Sequence, residues 1–179
     1  MTRMKPTPTP TLRLAQLAAL LGATTIAFAL ACSSPGSNAR FVETTPDVTS
    51  FPAVAAMLNQ ACGTLDCHGT VARNLRLYGD TGLRLSPTDV PSTLIPTTED
   101  EIAQDYASVV GLEPELMSQV VASGGANPEQ LTFLAKALGI QAHKGGAVIA
   151  PGDPRDVCIT SWLKGHADAA SCTAALSLP

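Results

Sequence analysis

The sequence predicts a mainly α protein, a single helical domain with long loops, and three observations carry that expectation. Apolar residues recur at spacings of three and four in several separate stretches, the period of one buried helix face. Helix-start and helix-stop residues bracket those stretches. Prolines, 14 in all, gather between them and mark the connections. At 179 residues the chain suits one domain with a real core and is too short for two sizeable ones.

Taken in order, the folded domain is expected over residues 41–179, with residues 39 to 50 extended and Thr44-Thr45-Pro46-Asp47 forming a turn. Ser50 is placed to cap a first helix, Pro52 sits at an early helical position, and Val54, Met57, Leu58 and Ala61 supply its apolar stripe. After Gly69, the runs Leu75-Arg76-Leu77 and Leu83-Arg84-Leu85 alternate in the manner of an extended segment with one face inward. Pro87, Pro91 and Pro96 then make a loop. Thr98 and Glu101 form a capping box, and Ile102, Tyr106, Val109 and Val110 follow on one helical face that ends near Gly111. Pro114 opens another helix, which Gly124-Gly125 stops, and Asn127-Pro128 starts a third with Leu131, Leu134, Ala135 and Leu138 as its stripe. A final helix begins at Asp153-Pro154 and carries Val157, Ile159, Trp162 and Leu163.

The N-terminus reads as an address. Arg3, Lys5 and Arg13 precede an uncharged apolar run from Leu14 to Ala31, the pattern of an export signal; a transmembrane anchor is the other reading of the same run, which is barely long enough to span a bilayer. Ala29-Leu30-Ala31 before Cys32 resembles the lipobox of bacterial lipoproteins, although the family usually has leucine three places before the cysteine, where this chain has Ala29. The resemblance implies a signal peptide over residues 1–31, acylation of Cys32, and a flexible tether over residues 32–40 rich in Ser, Pro and Gly. With Ser33 rather than aspartate after the cysteine, it also implies a membrane anchor at the cell envelope, in the outer membrane facing the periplasm. Cleavage removes three of the 11 Lys and Arg and none of the 15 Asp and Glu, leaving 8 against 15 and a net charge of −7. Such a surface excludes nucleic acid as a partner on electrostatic grounds.

The densest chemistry lies in Cys62-Gly63-Thr64-Leu65-Asp66-Cys67-His68-Gly69. Two thiols followed at once by an imidazole are what covalent haem c attachment needs: thioethers from Cys62 and Cys67, and a proximal nitrogen from His68 to the iron. Four residues separate the thiols where the common motif has two. The same pair can instead close a small disulfide in an oxidising compartment. Zinc fits less well, because the remaining cysteines, Cys158 and Cys172, are widely spaced and lack a nearby histidine pattern. Those two bracket the last helix and are expected to form a disulfide. Arg73, Arg76 and Arg84 follow the motif closely; they read either as partners for two propionates or as a solvated face that pairs with acids elsewhere.

The order Cys67-His68-Gly69, Leu75-Arg76-Leu77, His143-Lys144-Gly145-Gly146, Pro151-Gly152-Asp153-Pro154 and Trp162-Leu163 resembles that of small cytochrome c-like domains of exported bacterial proteins. The likeness covers about residues 51–165. It implies that the helix before the motif packs on the last helix, with Met57 and Leu58 against Trp162 and Leu163, and that a distal metal ligand comes from the C-terminal half, either His143 or Met117. The function it implies is electron transfer with a redox partner protein by a lipid-anchored haem protein. The alternative is a haem-free, disulfide-stabilised lipoprotein with a binding or structural role. No Ser-His-Asp order, phosphate-cradling glycine loop or paired carboxylates stand out, so an enzyme is not expected. Glu99-Asp100-Glu101 reads as favourable charge at a helix N-terminus.

Overall fold

The computed structural model describes residues 43–179. The expected signal peptide, Cys32 and the tether lie outside the described residues. Within them the protein is mainly helical, with six α-helices, one short 3-10 turn and no strand. No helix among the described residues is long and apolar enough to cross a membrane.

Helix α1, Phe51–Cys62, has proline in its first turn and buries Phe51, Val54, Met57 and Leu58, the stripe its spacing predicts. Ser50 occupies the cap position, but its side chain makes no cap bond; its hydroxyl accepts from the Ala167 N–H at 3.1 Å and so ties the start of α1 to the C-terminal region. Helix α2, Glu99–Val110, carries the capping box read from Thr98 and Glu101. Helix α3, Pro114–Ala122, ends where Gly124 and Gly125 adopt positive φ and their N–H groups bond Val121 and Val120 carbonyls, a termination only glycine accepts without strain.

The helix predicted to start at Asn127-Pro128 is broken. Asn127 has φ of 50°, Pro128–Gln130 form the 3-10 turn, and Leu131 is extended before helix α4, Thr132–Ala137, begins. The break has a physical cause. Glu113, from the junction of α2 and α3, accepts from the Thr132 N–H at 2.7 Å and from its hydroxyl at 2.8 Å, so α4 is capped by a residue distant in sequence. Helix α5, Pro154–Leu163, is capped by Asp153 as its sequence predicts. It is not the last: α6, Ala169–Ala175, follows behind an Asp168 cap.

Helix α1 packs on α2, α5 and α6, and α5 packs on α6. The implied contact between the first helix and the tryptophan helix exists, and Phe51 makes it: its ring lies 5.1 Å from that of Trp162 and 5.2 Å from that of Tyr106. The polar ends of these rings are satisfied by the incoming chain, since Trp162 Nε1–H donates to the Asp47 carbonyl and Tyr106 O–H to the Pro46 carbonyl, both at 2.7 Å. Cys158 and Cys172 are joined, linking α5 to α6.

The alternation of Leu and Arg after the motif holds in its first half, where Leu75 and Leu77 are buried and Arg76 is exposed. It inverts in the second. Leu85 is 42% exposed whereas Arg84 is 7% exposed, because Arg84 pairs with Glu101 at 2.8 Å and donates to the carbonyls of Ile95 and Pro96.

Candidate functional site

The lengthened motif is folded so that its ends meet. Helix α1 delivers Cys62 at its last residue, and the His68 N–H reaches back to the Cys62 carbonyl at 2.9 Å. The intervening residues form a tight turn in which the Thr64 carbonyl accepts from both Cys67 and Gly69 N–H. Glycine is required after His68: a Cβ on Gly69 would overlap the Gly63 carbonyl oxygen and crowd the Gly82 backbone. The extra residues are therefore looped out, and both thiols stay on the wall of one cavity.

That cavity has a volume of about 740 Å³ and is partly open, within the range of about 300–1,000 Å³ typical of cofactor clefts. Its walls come from α1, the motif turn, the segment after it, α4, the loop ahead of α5, and α5 itself. Leu58, Leu75, Phe133 and Ile149 give it apolar surface, and Ala72, Ala137, Ala142 and Gly145 leave its volume unfilled.

Across it, His68 and His143 face each other with ring centroids 6.0 Å apart and planes inclined by 18°. The nearly parallel planes and this separation are those of an offset-stacked pair. The separation also leaves room for one metal ion between the rings: bonds of about 2 Å would put two nitrogens about 4 Å apart and the centroids about 6 Å apart. Each ring is also oriented by its other nitrogen. His68 Nδ1 lies 3.1 Å from the Leu75 carbonyl and His143 Nδ1 3.0 Å from the Gly146 carbonyl, so each Nδ1 donates to a backbone oxygen, a contact that metal-ligating histidines also use. Gly145 packs against the His143 ring, with a Cβ there falling 3.2 Å from Cε1.

Burial lowers the pKa of His68; the Leu75 carbonyl opposes this, and the neighbouring His143, Arg73 and Lys136 lower it further. The net effect disfavours the protonated ring. The Cys62 thiol is pushed up to about 11, first by burial and then by Cys67, against the pull of Arg155. Both Cys62 and Cys67 are free thiols rather than a disulfide.

The other predicted site residues are placed as follows. Met117, 1% exposed, belongs to the hydrophobic core and not to the cavity wall, so of the two distal candidates only His143 meets His68. Of the three arginines, Arg73 lines the cavity and donates from Nε to the Cys67 carbonyl at 3.0 Å, Arg76 points away with its Nε–H on the Arg73 carbonyl, and Arg84 is consumed by Glu101. His166 is exposed and pairs with Asp47. Lys136 also lines the cavity; nothing in the helical pattern of α4 sets it apart from a solvated lysine. Among the described residues no three His, Cys, Asp or Glu side chains gather to hold a bare metal ion, whereas two imidazoles suffice for a metal already held by four macrocycle nitrogens.

No family model matches the chain, and comparison with curated proteins and with solved structures likewise gives no match.

Proposed function

We propose that the domain carries one haem c and transfers electrons at the cell envelope, as a lipid-anchored protein docking with a redox partner protein. The observation that supports this reading above others is the His68–His143 pair, 6.0 Å apart across a cavity whose wall also holds Cys62 and Cys67. Haem, when bound, supplies a one-electron couple. The chain's own residues do the rest. His68 and His143 would hold the iron, and the carbonyls of Leu75 and Gly146 orient both rings and would raise their basicity. Cys67 and Cys62 are the residues that would tether the group covalently through thioethers. Leu58, Leu75, Phe133 and Ile149 would keep water from it. Two histidines in place of histidine and methionine favour a low reduction potential.

Production in a host with c-type haem maturation tests the reading. The expected product has the mass of a covalent haem adduct and a low-spin Soret spectrum. His68→Ala abolishes that spectrum, His143→Ala converts it to one with an open or water-filled axial position, and Met117→Ala leaves the ligation bands in place. An adduct-free mass with no visible absorbance sinks the proposal. It would leave the haem-free, disulfide-bonded envelope lipoprotein as the reading to pursue, for which the Cys158–Cys172 bridge already supplies the cross-link.

A further inference from the structure

The charges of the domain are unevenly placed, and the cavity is where the imbalance concentrates. All 15 acids of the chain lie within residues 43–179, and four of the 11 Lys and Arg precede residue 43, leaving seven. Three of those seven, Arg73, Lys136 and Lys144, line the cavity, against two of the fifteen carboxylates, Asp66 and Glu113. Glu113 has both oxygens committed to Thr132, and Asp66 is exposed.

Arg73 and Lys136 are the informative pair. Both are half-buried, and they stand on different walls, one behind the motif and one on α4. Lys136 makes no ion pair or hydrogen bond with its side chain among the described residues. Arg73 uses Nε on the Cys67 carbonyl and one terminal nitrogen, at 3.4 Å, on the Asp66 carbonyl, which leaves guanidinium N–H groups to spare. Half-burying two cations without a carboxylate partner is unfavourable unless something anionic answers them. A lysine in the last turn of a helix also complements the helix dipole, but that role needs no position on a cavity wall and does not account for Arg73.

We infer that the cavity selects a tetrapyrrole with free carboxylates, Arg73 and Lys136 each engaging one of its two propionates. This rests on the haem reading above and narrows it to a dianionic ligand, which the charge count of the chain as a whole, strongly acidic, would not suggest. Charge-assisted bonds of this kind are stronger than neutral ones, and with partial solvation at half-buried sites the expected preference is about tenfold or more.

The test uses the full-length chain made without haem maturation and titrated with iron protoporphyrin IX or its dimethyl ester, followed by the Soret band. The free diacid is expected to bind at least about tenfold more tightly than the diester. Lys136→Gln and Arg73→Gln should each shrink that ratio, whereas Lys164→Gln, remote from the cavity, should not. Lys136→Gln is the cleaner variant, since Arg73 also holds the Cys67 carbonyl. Bis-imidazole spectra with equal affinity for diacid and diester, or a ratio unmoved by Lys136→Gln, would overturn this inference and leave the haem reading standing. Failure of both porphyrins to give a bis-imidazole spectrum would overturn the two together.

Discussion

Asp105 is fully buried on α2, where Oδ1 accepts from the Tyr78 N–H at 2.6 Å and Oδ2 from Asn59 Nδ2 at 2.8 Å. Burial pushes its pKa up to about 7, these two donors hold it back, and nearby Glu101 adds to the rise. An acid whose folded pKa exceeds its unfolded value of about 3.9 binds its proton more tightly when folded. Its contribution to stability is therefore complete below about pH 4 and is lost as pH rises towards about 7, at up to about 1.4 kcal/mol per pH unit. Glu101 acts in the opposite sense. Burial raises its pKa, but the Thr98 and Leu85 N–H groups and Arg84 outweigh that and hold it low, so its contribution is lost as pH falls. Asp105→Asn should remove the Asp105 term: unfolding free energies measured from about pH 4 to pH 7 should fall with pH less steeply in the variant than in the parent. The substitution is mild because Asn59 Oδ1 has no partner and can accept from the new amide if the Asn59 side chain rotates. Equal slopes in parent and variant would refute the shift. None of this was legible in the sequence. Asn59 and Asp105 sit among stripe residues as ordinary polar positions, and only the approach of α1, α2 and the segment at Tyr78 makes them a unit. His68 and Cys67, by contrast, were legible, because their chemistry is local and their spacing is short.

At the scale of elements, caps and stripes carried most of the fold. The capping box at Thr98, the prolines opening α1, α3 and α5, and the glycines closing α3 all act on neighbours within a turn, so a local reading finds them. What it missed depends on distant partners: the cap that Glu113 gives α4, and the burial of Arg84 by Glu101. Helix α6 was missed for its brevity, since its seven residues bury only Cys172 and Ala175. The disulfide holds that short helix to α5, with a sequence separation of 14 residues. Closing a loop of that size is worth about 3 kcal/mol by the chain-entropy argument. Cys158→Ser with Cys172→Ser is expected to lose about that much in denaturant unfolding while leaving α1 to α5 folded by circular dichroism. A double variant as stable as the parent would mean that packing of α6 alone suffices.

At the scale of the whole molecule, the proposed lipid anchor would decide where the domain works. The apolar N-terminal run, Cys32 and the polar residues after it predict that Cys32→Ala frees the protein from the membrane fraction or leaves the precursor unprocessed. Fractionation and processing identical to the parent would rule out lipidation.

The two histidines of the cavity wall stand near opposite ends of the domain in sequence, His68 just after α1 and His143 just before α5, and this gives the site a history as well as a geometry. If the chain is exported from its N-terminus, as proposed, it would present Cys62, Cys67 and His68 to the outside while α2 to α5 are still to come. Under the haem proposal the attachment half of the site would then emerge complete in itself, and the second imidazole would arrive only when the later helices have docked on α1. Covalent capture and final closure would be separate events, the closing one reporting that the chain has finished folding.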